Sequence, residues 1–368
     1  MMIKINKFIN SKGLGKLEQI LDKRRAFQNS TIPIVSKILN DVKKNKNKAV
    51  IKYEKRFSKN SKIKPSASEI NQAIRSLNPK IKKAIDYAYN RIFKYHSLQK
   101  VKNIKYIDKL NNTLQYKSVP INKVGIYVPA NLPSTLLMNA IPAKVAGVKK
   151  IILSNPRLNK KLNPAVIYAA RKLNIKDIYS IGGAQAIGSL TYIQKVDKIV
   201  GPGNIYVAKA KKEVFGDVGV EGMIAGPSEI TVVADKKTEI KSVITSLIGQ
   251  AEHDVNSQCI IISKDLSLLK EIKKKIKINL KNLPRRKVAE KSIKTNGLLI
   301  HAKNDKNVID LINLIAPEHL ELNVDKNKKY VNKIINAGSI CIGKFSAMAV
   351  TDYNVGTNHI LPTMGSAR

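Results

Sequence analysis

From Val124 onward, short apolar segments alternate with helical ones, and this alternation restricts the fold more than any other feature of the chain. The strand-like segments are VGIYV, IILS, DIYSIG and KIV, and helical spacing of apolar residues separates them. Strands that are connected through helices pair in parallel within one sheet. The pattern therefore predicts an α/β protein with parallel sheets.

A second alternation follows the segment ITVVAD. It consists of a helix ending in GQAEHD, then CIIIS, a Lys-rich helix, GLLIHA, a helix to NLIAPEH, and SICIG. Ahead of both series, SKILNDVKKNKNKAVIKYEKRF and NPKIKKAIDYAYNRIFKYHSLQK predict amphipathic helices, and IKYID and TLQYKSV predict a hairpin. We predict two parallel-sheet lobes, one inserted in the other, with N-terminal helices. The predicted parts are an N-terminal extension (1–30), a discontinuous lobe (31–120 and 236–368) and an inserted lobe (121–235).

The sequence indicates neither a targeting segment nor a disulfide or catalytic cysteine. No apolar run reaches the ~18 residues that a membrane-spanning helix needs, and Lys and Asn interrupt the N-terminal segment too often for a signal peptide. We therefore expect a cytoplasmic protein that spans no membrane. Cys259 and Cys341 lie within apolar strand-like runs, so we predict buried thiols rather than a disulfide or a nucleophile.

The charge of the chain suggests an alternative function. The chain has 67 Lys and Arg against 26 Asp and Glu, a formal net charge of +41, which is typical of proteins with a polyanionic partner. However, the lysines are spread over the whole chain, and only 5% of the residues are aromatic, with no Trp, so few side chains can stack on bases. We predict no specific nucleic-acid partner.

Several loops that follow predicted strands are rich in glycine and polar residues, and ligands of open α/β sheets bind at the carboxyl ends of strands. These loops are GGAQAIG, GPGN, AGPSE and GTNH. None contains the G-x-G-x-x-G fingerprint or a P-loop, so each taken alone favours an ordinary turn over a ligand site.

The five histidines narrow any argument about metal binding or proton transfer. We interpret His96, on a Lys-rich helix, and His301, at the end of GLLIHA, as structural. His253 follows Gln250 by three residues, a spacing that puts an amide oxygen and an imidazole on one helical face. Such a pair can chelate a metal, although a hydrogen-bonded helix cap is the alternative.

Two further polar groups lie late in the chain. Glu318 and His319 are adjacent in IAPEHLELN, where strand-like side chains diverge and can serve two different proton transfers, unless the pair is a solvated loop. Asp352 and His359 lie in TDYNVGTNHILPT. Asp352 would complete a set of N and O ligands for zinc or manganese, or be a turn residue.

The order of segments along the chain is more specific than any one of them. VGIYVPA, PSTLLMNAIPAKVAGV, GGAQAIGSL, KVDKIVGPGNIYVAKAK, AGPSEI, GQAEHD, APEHLEL, NAGSICIG and DYNVGTNHILPT occur in the order that is characteristic of histidinol dehydrogenase. The chain resembles this family closely over residues 120–368. The resemblance implies two incomplete Rossmann-like lobes and a homodimer with shared active sites. It also implies a zinc ion in each subunit and oxidation of L-histidinol, through histidinal, to L-histidine with two NAD.

Matching the motifs to the family implies a role for nine residues. The implied zinc ligands, which also contact the substrate, are Gln250, His253 and Asp352; the acid/base pair is Glu318 and His319; Ser228 and His319 contact the substrate; and Tyr127, Gln185 and Asn204 contact NAD. The discontinuous lobe would thus carry the metal and the acid/base pair, and the inserted lobe the NAD contacts.

The chain departs from the family pattern in three places. The family continues past the LPT-G-AR segment into a helical region that supplies a further zinc-binding histidine and a glutamate near the substrate. At most three protein ligands for zinc are therefore expected from residues 1–368, and these residues alone are not expected to be fully active. Ala130-Asn131 and Met364 replace glycines that are common in the family. A related zinc and NAD dehydrogenase acting on another small polar alcohol is the alternative function.

Overall fold

The computed structural model describes residues 3–26, 33–221 and 228–358, apart from the side chains of residues 25, 26, 282, 352 and 353. These residues form two compact units. We call residues 33–221 with 353–358 the first lobe, and residues 3–26 with 228–352 the second lobe.

The described residues contain strands and helices throughout. The strands are β1 (Ile5–Asn6), β2 (Ile104–Ile107), β3 (Thr113–Tyr116), β4 (Lys123–Tyr127), β5 (Lys150–Ser154), β6 (Asp177–Tyr179), β7 (Lys198–Val200), β8 (Gly219–Val220), β9 (Glu229–Ala234), β10 (Gln258–Ser263), β11 (Gly297–His301), β12 (His319–Asn323) and β13 (Ser339–Ile342). The helices are α1 (Ser11–Ala26), α2 (Pro33–Ser58), α3 (Ala67–Ser76), α4 (Pro79–Ser97), α5 (Pro133–Val145), α6 (Pro164–Lys172), α7 (Gly183–Gly188), α8 (Ile205–Glu213), α9 (Ile240–Ala251), α10 (Leu266–Asn279), α11 (Arg286–Asn296), α12 (Asp305–Ile315), α13 (Lys328–Val331) and α14 (Met348–Val350). Short π-helical turns cover Ser189–Ile193 and Thr351–Val355.

Each lobe has one parallel sheet, which confirms the predicted α/β fold class. The first lobe has five strands in the order β6-β5-β4-β7-β8, and the second has six in the order β1-β11-β10-β9-β12-β13. All neighbours in both sheets are parallel. In each sheet the chain first adds strands on one side and then on the other, so each has a topological switch point, between β4 and β7 and between β9 and β12.

The N-terminal helices cover the sheet of the first lobe. Helix α2 buries Val35, Ile38 and Val42, whose spacing confirms the predicted amphipathic period, in one apolar cluster with Ile187 and Leu190. Helices α3 and α4 pack similarly with α5 and α6. This packing differs from the predicted boundaries, which grouped residues 31–120 with the later part of the chain. These helices lie in the first lobe because they bury their apolar faces there.

The strand formed by ITVVAD also lies outside its predicted lobe. We had expected it to end the inserted lobe (121–235), but β9 pairs with both β10 and β12 in the second lobe. All six of its residues are buried. A strand that is apolar on both faces needs parallel neighbours on both edges and helices on both faces, and the second lobe supplies them. Strand β1, from the predicted N-terminal extension, pairs with β11 at the edge of the same sheet.

The segment after the π-helical turn returns to the first lobe, although the sequence placed it in the second. The Arg91 side chain donates a hydrogen bond to the Asn354 carbonyl (3.1 Å), and the Asn358 amide donates to the Met138 carbonyl (2.7 Å). Gly356 has a φ of +95°, and a side chain there would meet the backbone of Arg91. The glycine of the GTNH motif is therefore required by packing.

Several simpler predictions agree with the structure. Cys259 and Cys341 are buried and form no disulfide, and burial raises the pKa of the Cys259 thiol to about 12. His96 is buried at the end of α4 and contacts Gln99, and His301 ends β11. Within the described ranges, no helix is both long and apolar enough to cross a membrane.

The predicted hairpin is confirmed, and its two faces differ. Strands β2 and β3 are antiparallel, with Ile104 opposite Tyr116 and Tyr106 opposite Leu114. Residues paired directly across two strands point to the same face, so these four form one apolar face. The opposite face carries the pairs Lys105–Gln115 and Ile107–Thr113. Every residue of both strands is exposed.

Candidate active site

Most of the predicted catalytic and substrate residues meet at the amino edge of the sheet in the second lobe. Ser228 precedes β9, Glu318 precedes β12, and His319 is the first residue of that strand. Gln250 lies in the last turn of α9, which leads back to the start of β10. Helices that connect parallel strands run from the carboxyl edge to the amino edge, so their C-terminal ends and the following loops collect there.

The expectation that function lies at the carboxyl ends of strands is therefore wrong for these residues. A cavity of about 410 Å³ does lie at the carboxyl edge of this sheet, between β9 and β12. Its lining includes Asp235, Lys264 and Tyr330, and none of the predicted site residues. The rule that ligands of open sheets bind at the carboxyl edge identifies this cavity, whereas the predicted acid/base residues lie at the opposite edge.

Glu318 and His319 form a buried carboxylate–imidazole pair. Helix α12 ends with Ala316 in the left-handed region, and Glu318 lies in a bend just before the strand begins. The two side chains are 7% and 3% exposed, and Glu318 Oε1 lies 3.5 Å from His319 Nε2. We had expected the side chains to diverge as in a strand, but the bend at Glu318 brings them together. The alternative of a solvated loop pair is wrong, because both are buried.

The His319 ring has a free edge inside the protein. Its Nδ1 atom is buried and has no hydrogen-bond partner in the described part of the chain. The second carboxylate oxygen of Glu318 accepts a hydrogen bond from the Glu229 backbone N–H (3.2 Å). The pair is thus held from the sheet side, while one imidazole nitrogen remains available for a ligand or a proton.

Glu321 is a neighbour of this pair that the sequence analysis missed. It lies two residues after His319 on β12, so the two side chains point to the same face of the sheet. Its carboxylate accepts a hydrogen bond from the Met348 backbone N–H (2.8 Å), and burial raises its pKa. The i, i+2 spacing from His319 was the available signal.

Gln250 carries the strongest indication of a ligand. Its side chain is 1% exposed, and among the described residues neither amide atom has a hydrogen-bond partner. An unpaired buried amide is costly, by about 1–3 kcal/mol. A bound group that accepts or coordinates at this amide would remove that cost.

His253 does not share a helical face with Gln250. The helix ends at Ala251, and His253 lies exposed in the turn that follows, where its backbone N–H donates to the Gln250 carbonyl (3.2 Å). The predicted face is absent because the helix is two residues too short. Imidazole and amide groups nevertheless follow one another at the amino edge of the sheet, and both are zinc donors of the N/O class.

The full predicted metal set lies partly outside the described side chains. Asp352 is in the π-helical turn Thr351–Val355, but its side chain is not described, and His359 lies outside the described residues. Among the side chains that are described, no three His, Cys, Asp or Glu residues are grouped closely enough to hold a metal ion. The zinc set Gln250, His253 and Asp352 stays a prediction.

The predicted NAD contacts lie at the carboxyl edge of the other sheet, in the first lobe. Tyr127 ends β4 and Asn204 follows β7, so they flank the switch point of that sheet, where ligands of open α/β sheets bind. Tyr127 is buried, which raises its pKa to about 12. Asn204 is exposed, and its side-chain oxygen caps α8 by accepting from the N–H groups of Tyr206 and Val207.

Gln185 is held in the interior by a carboxylate that the sequence analysis did not identify. Its side-chain amide donates a hydrogen bond to Glu54 Oε1 (2.8 Å), and the Gly182 N–H donates to the same oxygen (2.8 Å). Burial raises the pKa of Glu54. Glu54 lies four residues after Val50 on the buried face of α2, and that spacing was the available signal.

A buried lysine supports the loop after β7. Lys211, on α8, is fully buried, and its ammonium group donates hydrogen bonds to the carbonyls of Gly201 and Glu221. Burial lowers its pKa to about 8. Lys211 follows Val207 by four residues and precedes Val214 by three, so the helical period itself places it on the buried face.

These features together define a class of protein. One lobe has a parallel sheet with open loops at its switch point, and the other has a buried carboxylate–imidazole pair and an unpaired buried amide. This combination is that of a two-lobed α/β enzyme with open switch-point loops in one lobe and a buried carboxylate–imidazole pair in the other.

Comparisons with known proteins identify the family within this class. The histidinol dehydrogenase profile matches residues 21–368. A histidinol dehydrogenase of Pelagibacter ubique (strain HTCC1062) is 57% identical over 374 residues, covering 100% of this chain and 87% of the relative. One of Acinetobacter baylyi is 42% identical, covering 91% of this chain and 80% of the relative. The chain belongs to the histidinol dehydrogenase family.

The fold agrees with this assignment. The crystal structure of histidinol dehydrogenase from Elizabethkingia anophelis matches with a TM-score of 0.91 at 35% identity, covering 100% of this chain and 86% of that one. The chain therefore shares with the family both the order of the sequence motifs and the fold.

Proposed function

We propose that the protein oxidises L-histidinol through L-histidinal to L-histidine, with two NAD as hydride acceptors, as the last step of histidine biosynthesis in the cytoplasm. Membership of the histidinol dehydrogenase family supports this function. The observation that carries it is the buried pair of Glu318 and His319, whose side chains approach to 3.5 Å. A buried imidazole and a carboxylate in contact provide the two proton acceptors that two successive oxidations need.

Gln250, His253 and Asp352 are the residues that would hold a zinc ion. The unpaired buried amide of Gln250 supports this assignment, because a metal would satisfy its oxygen. When bound, zinc supplies a fixed positive charge that orients the amino and imidazole nitrogens of the substrate. Ser228, on the same edge of the sheet, would contact the substrate.

In the first oxidation, His319 would accept the proton of the substrate hydroxyl. The C–H bond of the carbinol carbon breaks, its electron pair leaves as hydride to NAD, and the C–O bond becomes the carbonyl of histidinal. Neutral imidazole is a suitable base near pH 7.

In the second oxidation, Glu318 would accept a proton from water. The water oxygen would form a bond to the aldehyde carbon, and the carbonyl oxygen would take up the proton that His319 holds, so that a hydrate results. His319 would then accept a hydroxyl proton of the hydrate as hydride leaves this carbon to a second NAD, and the acid that results would lose its remaining proton to water to give the carboxylate of histidine. No cysteine thioester takes part, in agreement with the burial of Cys259 and Cys341.

The NAD contacts would be Tyr127, Gln185 and Asn204. The position of Tyr127 and Asn204 on either side of the switch point supports this proposal. The Asn204 side-chain oxygen is held by the cap that it forms on α8, and the Gln185 amide is held by its hydrogen bond to Glu54. These side chains are therefore held before the cofactor binds.

We also propose that the enzyme is a homodimer. The apolar face of the hairpin supports this, because Ile104, Tyr106, Leu114 and Tyr116 are each between 54% and 62% exposed. Two-stranded hairpins are only marginally stable in water unless another surface covers their apolar face. A second copy of the chain is the partner that the family resemblance implies.

The proposed function is tested with protein produced from the complete gene and loaded with zinc. We expect histidinol-dependent formation of two NADH for each histidine. His319→Asn should lower kcat by about 10²–10⁴-fold, as for the loss of a general base, and retain its zinc. His253→Ala, in contrast, should lose zinc.

Two outcomes would contradict the proposal. Reduction of NAD by another small polar alcohol, with none from histidinol, would instead identify a related dehydrogenase. Loss of zinc from His319→Asn would show that His319 is a metal ligand and not the base.

A further inference from the structure

A network of interior polar side chains contacts the pair of Glu318 and His319 and takes no part in the chemical steps proposed for the two oxidations. It begins at Arg24 on α1, whose guanidinium donates a hydrogen bond to Gln258 Oε1 at 2.5 Å. Gln258 Nε2 in turn donates to Glu229 Oε1 at 3.3 Å. Gln258 and Glu229 are 5% and 8% exposed and open their strands, β10 and β9.

The network continues to Glu318 through the backbone N–H group of Glu229. The Glu229 N–H donates to Glu318 Oε2 at 3.2 Å, and Glu318 Oε1 faces His319 Nε2. Strands β10, β9 and β12 are neighbours, with Gln258 opposite Glu229 and Ile230 opposite His319. The contacts therefore cross three adjacent strands at the amino edge without a break.

Arg24 is the positively charged group of this network. Glu229 is buried, and a buried carboxylate needs hydrogen-bond donors or a positive charge close to it. Gln258 supplies the donor, and the positive charge of Arg24 attracts the Glu229 carboxylate. Burial lowers the pKa of Arg24 to about 10, which still leaves the guanidinium protonated near neutral pH. The carboxylate of Glu229 is therefore held toward Gln258, the residue that joins it to Arg24.

We propose that Arg24, acting through Gln258 and Glu229, is a positioning residue for Glu318. By fixing the side chain of Glu229, it fixes the N–H group that orients the Glu318 carboxylate. Because Glu318 is the base for the hydration of histidinal, the network supports the second oxidation rather than the first. This inference rests on the proposed function. It gives the N-terminal helix a role in the active site that neither its position in the sequence nor the family motifs assign.

The test separates the two oxidations. Zinc-loaded wild type, Arg24→Met, Arg24→Lys and Lys23→Met are compared, the last being an exposed charge on the same helix. Histidinal oxidation is measured in the steady state, and the first oxidation as the rate of the first NADH in a single turnover of histidinol. We expect Arg24→Met to lower kcat for histidinal by about 10- to 100-fold, as for other residues that orient a catalytic group. Its KM for histidinal and its first-NADH rate should stay within about threefold of wild type.

The controls make the result specific. Arg24→Lys, which keeps the charge, should recover part of the histidinal activity, and Lys23→Met should resemble wild type. Equal slowing of both oxidations in Arg24→Met would show that Arg24 only stabilises the fold, and would overturn the inference. If Arg24→Met does not fold, Gln258→Met breaks the same chain of contacts and must give the same selective loss. A wild type that oxidises neither histidinol nor histidinal would overturn the proposed function itself.

Discussion

At the scale of the residue, burial decides what a lysine does in this protein. Lysines occur along the whole chain, and many lie on exposed faces of helices, as on α10, where Leu268, Ile272 and Ile276 are buried and most of the lysines are exposed. Lys211 has the same side chain but is fully buried and donates to two carbonyls. Its ionisation is therefore coupled to folding, whereas that of an exposed lysine is not.

Replacing Lys211 by Met should change how stability depends on pH. The pKa of Lys211 is about 8 in the folded protein and near 10.5 in an unfolded chain. Between these values the unfolded chain holds a proton that the folded chain has lost, so this group adds stability as pH rises from 8 to 10.5. The free energy of unfolding of wild type minus that of Lys211→Met should thus increase by up to about 3 kcal/mol over this range. Urea denaturation at several pH values measures it.

Lys212→Met is the matched control for that measurement. Lys212 is the next residue on the same helix and is exposed, so its replacement should leave the buried contacts of the helix unchanged. We expect the difference from wild type to be flat with pH. A flat difference for Lys211→Met as well would mean that its ammonium group is not buried in solution.

The contact between Glu318 and His319 depends on a detail of the backbone that the sequence does not reveal. An adjacent Glu and His in a strand point to opposite faces, and on that basis we expected the two side chains to act separately. The bend at Glu318 puts both tips within 3.5 Å. The backbone conformation of this single residue decides whether the two side chains lie apart or in contact.

At the scale of the element, the connection between β7 and α8 is fixed by one glycine. Gly201 has a φ of +102°, and a Cβ atom there would lie 2.0 Å from the Tyr127 carbonyl oxygen. Only glycine adopts this conformation and allows such an approach. The GPGN motif is therefore a structural requirement of the switch point, and Lys211 holds the Gly201 carbonyl from the other side.

Gly201→Ala should displace this loop. The strained backbone costs about 1–3 kcal/mol, and the clash with Tyr127 adds to this cost. We expect a loss of stability of more than about 2 kcal/mol in urea denaturation. The KM for NAD should rise by about tenfold, because the loop carries Asn204.

Gly216→Ala separates the clash from the backbone strain. Gly216 has a φ of +105°, but a Cβ there would meet nothing within 4 Å. Its substitution should therefore cost only the conformational strain and leave the KM for NAD unchanged. Equal effects of the two substitutions would contradict the proposed role of the Gly201–Tyr127 contact.

At the scale of the whole molecule, charge and the apolar hairpin act in opposite directions. Two chains that each carry +41 repel one another at low ionic strength. The hairpin offers an apolar face of four side chains, which favours association. Because salt screens the repulsion but not the apolar contact, we expect dimers to become more stable as salt is added.

Leu114→Lys should weaken the proposed dimer. Leu114 lies on the apolar face of the hairpin opposite Tyr106, and a charged side chain buried in an interface without a partner is costly. We expect at least a tenfold higher dissociation constant, measured by sedimentation. Gln115→Lys adds the same charge on the opposite face and should leave the dimer intact. A dimer that is insensitive to Leu114→Lys would place the interface elsewhere.

The sequence by itself determined the elements of this protein and its family. Hydrophobic period predicted the parallel sheets, the amphipathic helices and the hairpin, because burial of one face or of both leaves a local pattern along the chain. The order of nine motifs identified the histidinol dehydrogenase family, since each motif is a short continuous stretch that can be recognised without its tertiary contacts.

Only the tertiary structure decided which elements share a lobe and which side chains meet. The sequence predicted that strand β9 ends the inserted lobe, but β9 is a central strand of the sheet in the second lobe. A local hydrophobic pattern does not identify the strands with which a strand pairs. The contacts of Glu54 with Gln185, and of Arg24 with Gln258, join residues more than a hundred positions apart. Such pairs form only when the chain packs, because the free energy that selects them comes from burying both partners together.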